Sequence, residues 1–235
     1  MSQPSETDVQ QIFDRIAPVY DQFNDLLSLG QHRIWKKMAL LWCEPKQGET
    51  WLDLCCGSGD MTALLAQKVA PTGQVIGVDF SKELLAIASD KARKYLPKIQ
   101  KSLTWQEGNV LNLTFGDNSF DGATLAYGLR NVKNIPQCLS ELHRVLKDGA
   151  KAAILDFHRP SDRLMQAFQD FYLDRIVVPL ANRFAMTSEY AYIASSLARF
   201  PIGAEQVKLA KAAGFSSATH YVIANGMMGI LVLQK

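Results

Sequence analysis

The chain has 235 residues and a mass of 26.1 kDa, enough for one sizeable core and too short for two ordinary domains. Its composition, 48% hydrophobic and 20% charged, is that of a folded globular protein, and a formal net charge of +2 gives no electrostatic case for a nucleic-acid partner. The cysteines Cys43, Cys55, Cys56 and Cys138 show no C-x-x-C spacing and no histidines nearby in sequence, which argues against a disulfide framework and a zinc site. The opening MSQPSETDVQ carries acids and no apolar stretch of the secretory kind, and no apolar run is long enough to span a bilayer, so a cytoplasmic location is expected.

From Ser5 to Trp42, apolar residues recur at helical spacing (Ile12, Ile16, Tyr20, Phe23, Leu26), with Pro18 and Gly30 predicted to break the run into two or three helices. Residues 1–45 are read as an N-terminal helical lid. From Thr50 the pattern changes: short apolar runs (TWLDL, QVIGVDF, SLTWQEGNV, SFDGATLAYG, KAAILDF) alternate with helical ones, the signature of βαβ units and a parallel sheet over 46–157. Ser81 and Asn134 are predicted helix N-caps, and Gly73 and Gly149 sit where chains leave helices. The basic run KARKYLPKIQK reads as a solvated helix face and its exit loop. After Pro160 an aromatic-rich helical pattern interrupts this rhythm, giving an insert over 158–200, and residues 201–235 read as one helix and a closing pair of strands. A single α/β domain is predicted.

The strand TWLDL runs into GSGD and then a helix, the first βα turn of a nucleotide-binding sheet. Gly57 and Gly59 fill the first two places of the dinucleotide pattern G-x-G-x-x-G, but the third is Thr62. A pyrophosphate needs bare amides at a positive helix terminus, whereas Asp60 follows the second glycine and Asp53 ends the strand. Such carboxylates suit a ligand carrying an ammonium or a sulfonium, and S-adenosylmethionine carries both without a phosphate. Asp79, at the end of the second strand, is placed to accept both ribose hydroxyls. Asn109 is a candidate acceptor for the adenine amino group, with Val110 and Phe80 bordering the ring, and is equally readable as a turn residue. Cys55 and Cys56 read as small apolar filling, with Cys56 at most touching the donor.

LDLCCGSGDMT, GVDFSKELL, NVLNLTFGDNSFD and HRVLKDGAKAAILDF follow, in order, the motifs of class I S-adenosylmethionine-dependent methyltransferases. Three further stretches, YDQFNDLLSLGQHRIWK, YGLRNV and YAYIASSLARFP, resemble the UbiE/MenG family of ubiquinone/menaquinone C-methyltransferases over nearly the whole chain. The chain departs from that family's pattern in CCGSG, usually AGGTG, and in LDFH followed by RP, usually LEFS; both variants resemble the phylloquinone branch. The resemblance implies a Rossmann-like fold with a seven-stranded, mostly parallel sheet and helices on both faces. It also implies S-adenosylmethionine as donor and a lipid-soluble prenylated naphthoquinol as acceptor, with transient contact at a membrane surface. A benzoquinol acceptor, a small phenol or amine, and a non-catalytic donor-binding protein are the alternatives, while the absence of an N-P-P-Y-like stretch disfavours nucleic-acid methylation.

Methylating a ring carbon requires a nucleophilic carbon, hence the reduced quinol with its hydroxyl proton removed. Arg130, in the turn just past the fourth strand, is the candidate to stabilise the quinolate and is also readable as a structural arginine pairing an acid. Asn131 is placed to orient the hydroxyl, and Asp156 or His158 to relay the proton, His158 being equally readable as a loop residue. Gly57, Ser58, Gly59 and Ala126 join the acids above at the donor, while Tyr20 and His32 of the lid and Tyr127 face the acceptor. Phe168 and Tyr172, in a stripe continued by Phe171, Ile176 and Leu180, read as ordinary core packing or as candidates for a tail groove. Trp35 and Trp42 read as packing, and a homodimer is one of the oligomeric states left open.

Overall fold

The computed structural model describes residues 5–160 and 195–235, together with positions 162, 166, 167, 169, 171, 175 and 192 between them. The lid comprises α1 (Glu6–Ile16), a 3-10 turn (Ala17–Val19), α2 (Tyr20–Ser28) and α3 (His32–Cys43). A capping box opens α1: Asp8 N–H donates to Ser5 Oγ at 3.1 Å, and Ser5 N–H to the Asp8 carboxylate at 2.7 Å. The breaks fall at Pro18 and Gly30, as expected. Pro18 has no N–H to continue the helical ladder, and Leu29 and Gly30 take left-handed φ values of 50° and 74° that turn the chain into α3.

Seven strands follow: β1 (Thr50–Leu54), β2 (Gln74–Asp79), β3 (Leu103–Glu107), β4 (Phe120–Ala126), β5 (Leu146–Phe157), β6 (Ser217–Ile223) and β7 (Met228–Gln234). The sheet order is β3-β2-β1-β4-β5-β7-β6; β1 to β5 are parallel, and β7 runs antiparallel between β5 and β6. This is a Rossmann-like class I fold. Helices α4 (Asp60–Val69), α5 (Lys82–Ala92), α6 (Pro97–Gln100), α7 (Ile135–Val145) and α8 (Gly203–Ala212) connect the strands, with 3-10 turns at Leu129–Asn131 and Ala224–Gly226. Ser81 and Asn134 cap α5 and α7, each accepting a backbone N–H.

Strand alternation divides the core between the two faces. Leu52, Leu54, Leu125, Ile154 and Leu231 face α7 and α8, whereas Trp51, Val75, Ala153, Leu155 and Ile230 face α3 and α4. Gly149 corrects its expectation: α7 ends at Val145 and passes directly into β5, where Gly149 (φ 79°) sits at a register shift against β4. Sheet pairing of Leu146 with Phe120 takes up the residues that would have formed a loop. Among the described residues no helix is long and apolar enough to cross a membrane. Because β1 hydrogen-bonds to β2 on one side and β4 on the other, chain order reverses there and the adjoining loops diverge, leaving a crevice at the carboxyl ends of the strands.

Candidate active site

A cavity of about 480 Å³ occupies that crevice. Gly57, Asp79, Phe80, Asn109, Val110 and Ala126 supply its sheet-side wall, and Tyr20, Tyr127 and Asn131 also line it. Asp79 is the best-built group. Its Oδ2 accepts the Gly57 N–H at 2.8 Å and its Oδ1 the Ser81 N–H at 2.9 Å, and the Phe80 amide bonds it as well, which leaves part of its acceptor capacity for a ligand hydroxyl. Burial pushes this carboxyl up to about 6 against those amide donors. A carboxylate with spare acceptor capacity, bordered by an aromatic ring and a cavity of ligand size, fits an adenosyl group. Gly59 holds the turn at φ 83°, and a Cβ there would lie 2.5 Å from the Trp105 ring.

The two acids of the glycine turn are not free carboxylates, as their place in the sequence suggests, but paired ones. Asp53 is fully buried and accepts the hydroxyls of Thr62 at 2.6 Å and Thr124 at 2.7 Å, with burial pushing it up to about 6. Burial also works against charge on Asp60, but Lys36 at 3.1 Å and Lys91 at 2.5 Å outweigh it and hold the carboxyl at about 2. The local charge is therefore offset by two lysines from α3 and α5. Asp53, Ser58 and Asp60 line a small recess that shares Tyr20, Cys55, Ala126 and Tyr127 with the main cavity. Ser58 Oγ donates across to Asp21 of the lid. Asn109 takes the form of a turn residue, its side-chain oxygen accepting the Leu111 N–H at 2.9 Å, and the residue also lines the cavity. It is Cys55 rather than Cys56 that reaches the cavity wall; both thiols are pushed up by burial.

At the β4 end, the YGLRNV turn folds back on β5. Tyr127 sits at φ 64°, unusual for a bulky residue, held by its N–H donating to the Leu155 carbonyl at 2.7 Å. Gly128 lets the turn close: a Cβ there would lie 2.4 Å from Cys55 Cβ. Arg130 and Asp156 form a buried pair at 2.8 Å, their side chains 8% and 3% exposed. Arg130 Nη1 also donates to the Tyr127 carbonyl at 2.6 Å, as does Asn131 Nδ2 at 3.3 Å, and the guanidinium lies 5.0 Å from the Phe157 ring centroid. Burial opposes charge on Arg130, yet Asp156 raises its pKa overall. Three polar atoms here are buried with no hydrogen-bond partner among the described residues: Tyr127 OH, Arg130 Nε and Asn131 Oδ1. Burial also raises the phenol of Tyr127 well above its usual range and that of Tyr20 to about 12.

Other expected residues fall elsewhere. His158 lies outside the main cavity, because β5 ends at Phe157 and the chain turns so that His158 N–H donates to the Met227 carbonyl. Its ring faces His220 at 5.3 Å in a separate cavity with Arg159 and the start of α8, and burial lowers its pKa. His32 is a lid residue: its Nε2 bonds Asp25 at 2.8 Å, away from the main cavity. Phe168 and Tyr172 lie outside the described residues.

The structure adds α1 to the site. Gln10 Nε2 donates to the Phe80 carbonyl at 2.7 Å, and the Phe13 ring meets Phe80 edge-on at 6.0 Å, so both close the cavity from above. The helical spacing of Val9, Phe13 and Ile16 was the available signal, since an apolar stripe on a lid needs something to cover. Among the described residues, no cluster of metal-ligating side chains accompanies these groups.

The sequence matches the ubiE/COQ5 methyltransferase family over residues 1–235. The chain belongs to the ubiE/COQ5 methyltransferase family. It is a methyltransferase with S-adenosylmethionine as donor. This ubiE/COQ5 methyltransferase is 62% identical to the 2-phytyl-1,4-naphtoquinone methyltransferase of Nostoc sp., over 97% of this chain and 98% of that protein. It is 52% identical to the protein of that name from Synechocystis sp., over 100% and 98%, and 46% identical to the chloroplastic 2-phytyl-1,4-beta-naphthoquinone methyltransferase of Arabidopsis thaliana, over 95% and 86%. Among solved structures it resembles a SAM-dependent methyltransferase from Aquifex aeolicus (TM-score 0.63, 18% identity, 91% of this chain and 97% of that one). It also resembles a phosphoethanolamine N-methyltransferase from Haemonchus contortus (TM-score 0.64, 18% identity, 86% and 52%). These structural likenesses speak for the fold.

Proposed function

We propose that this methyltransferase C-methylates the reduced ring of 2-phytyl-1,4-naphthoquinol, the quinol form of the ring named in its relatives. The observation that carries this reading is the pair Asn131 Oδ1 and Tyr127 OH, buried without partners at the end of β4, beside the donor cavity. An acceptor and a donor of hydrogen bonds at that place suit a ring hydroxyl.

When bound, S-adenosylmethionine supplies an electrophilic methyl group on its sulfonium. Asp79 holds the ribose hydroxyls, and Phe80 and Val110 border the adenine with Asn109 beside them. Asn131 Oδ1 accepts from a quinol hydroxyl and orients it. The hydroxyl proton passes to water and charge spreads onto the neighbouring ring carbon, which takes the methyl group as the S–CH3 bond breaks and S-adenosylhomocysteine leaves. The carbon then gives its own hydrogen to water as a proton, which restores aromaticity, and the ring oxygen is reprotonated. The Tyr127 hydroxyl donates to the developing oxyanion. Arg130, neutralised as a pair by Asp156, supports the oxyanion as a hydrogen-bond donor through Nε rather than as a free cation, and also fixes the Tyr127 carbonyl. His158, facing a different cavity, takes no part.

A lipid-soluble acceptor implies approach to a bilayer. The lid exposes Leu26, Leu29, Ile34 and Leu41 beside Lys37 and the Arg33–Asp25 ion pair, an apolar surface suited to a bilayer interface. Co-flotation with anionic vesicles, lost in Leu29→Glu/Ile34→Glu, tests it.

The activity is tested with labelled S-adenosylmethionine and matched reduced and oxidised quinones. Methyl transfer to the naphthoquinol alone is expected. Turnover of the oxidised ring would overturn the mechanism, and preference for a benzoquinol would overturn the acceptor.

A further inference from the structure

We propose that Lys36, carried by the lid helix α3, is the anchor for the carboxylate at the amino-acid end of the methyl donor. The inference rests on the reading of the main cavity as the adenosyl site and assigns the part of the donor that the cavity does not explain.

Lys36 is buried, at 6% exposed, which a lysine seldom is unless paired. Its Nζ lies 3.1 Å from Asp60 Oδ2 and 5.8 Å from the Tyr127 ring centroid. Lys36, Asp53 and Asp60 line the small recess that adjoins the main cavity across Tyr20 and Tyr127. With the ribose on Asp79 and the reactive methyl directed toward the β4 end, the amino-acid end of the donor is left with this recess. That end carries one ammonium and one carboxylate. The recess offers carboxylates for the ammonium, and Lys36 is the one cation among the described residues lining it.

The Lys36–Asp60 pair has the same two charges as the zwitterion, so the ligand can separate the pair and give each partner an opposite pole without leaving a buried charge unmatched. A buried ion pair beside a ligand cavity thereby becomes a receptor for a dipolar ligand. Lys91 supplies the internal control. It bonds the same Asp60 at 2.5 Å, and Asp21 at 2.7 Å, but does not line the recess. It ties the lid to the turn without facing the ligand.

The test compares three ligands by calorimetry, with no turnover required: S-adenosylhomocysteine, decarboxylated S-adenosylmethionine, which keeps the ammonium, and 5′-methylthioadenosine, which lacks both groups. Lys36→Met is expected to weaken S-adenosylhomocysteine roughly ten- to a hundredfold, the range for a lost charge-assisted hydrogen bond, and to leave the two ligands without a carboxylate within about twofold. Lys36→Arg should restore part of the loss. Lys91→Met should weaken all three alike, through the shared turn. Retained methylthioadenosine binding shows that the variant is folded. An equal loss for all three ligands in Lys36→Met would make Lys36 a lid strut and overturn the proposal. A wild-type protein that binds none of them would instead overturn the donor-site reading itself.

Discussion

The two ends of the cavity are built by opposite means. At the β1–β3 end, the polar groups are completed by the chain itself: Asp79 by the amides of Gly57 and Ser81, Asp53 by the hydroxyls of Thr62 and Thr124. At the β4–β5 end, a tyrosine in a left-handed conformation is held by Arg130 and Asn131 on its carbonyl, and three buried polar atoms have no partner among the described residues. The first end is preorganised, as the proposed donor site requires. The second keeps bonding capacity, as the proposed site for a quinol whose charge changes during the reaction requires.

Breaking the second end at its support should have the largest effect. Asp156→Ala leaves Arg130 as an uncompensated buried cation and is expected to destabilise the fold by about 3–5 kcal/mol, read from urea unfolding. A loss under about 1 kcal/mol would mean that the turn does not depend on the pair. Asp79→Ala at the first end should change stability far less and weaken S-adenosylhomocysteine by about 2–3 kcal/mol, the worth of hydrogen bonds to a charged acceptor. Its titration supplies a pH signature. The pKa of Asp79, at about 6, lies above the unfolded carboxyl value of 3.8, so the folded state holds the extra proton between those values and its contribution to stability declines as pH rises through that window. Ligand hydroxyls favour the carboxylate, so donor affinity should instead rise with pH through about 6, and Asp79→Asn should flatten that step. Asp60 behaves in the opposite sense: held at about 2 with lysine partners, it contributes stability above pH 3.8 that is lost as pH falls toward 2.

Much of this was legible in the residues, and the failures have a common cause. The helix breaks, the caps at Ser81 and Asn134, the βαβ order and Asp79 all follow from local chemistry or from spacing within one βαβ unit. The reading of Asp60 as a bare carboxylate failed because its partners lie on other helices, Lys36 24 residues before it and Lys91 31 after. His158 was misread for a related reason. Its closeness in sequence to Asp156 suggested a shared site, but β5 ends between them, and only pairing with the β7 end directs the ring toward His220. Gln10 and Phe13 were missed because a lid's apolar stripe shows that it covers something without showing what. Arg130 is readable in the sequence as a group pairing an acid, but that Asp156 is that acid becomes apparent only once the turn folds back.

The finest distinction between the two ends rests on one oxygen. Tyr127→Phe removes a buried hydroxyl that has no partner among the described residues, so the folded protein loses no hydrogen bond described here, and stability should hold or rise slightly. The ring, its edge contact with Phe157 at 6.5 Å and the Lys36 contact all survive the change. Donor affinity should therefore stay within about twofold, because Asp79 and the turn amides are untouched. If the hydroxyl donates to the quinolate as charge develops, kcat should fall about tenfold, equivalent to about 1.4 kcal/mol, with KM for the quinol little changed. An unchanged kcat would reduce Tyr127 to a wall of the cavity. A parallel loss of donor affinity would show that the two ends are not separable, and that the strained turn at Tyr127 shapes the donor site as much as the glycine turn does.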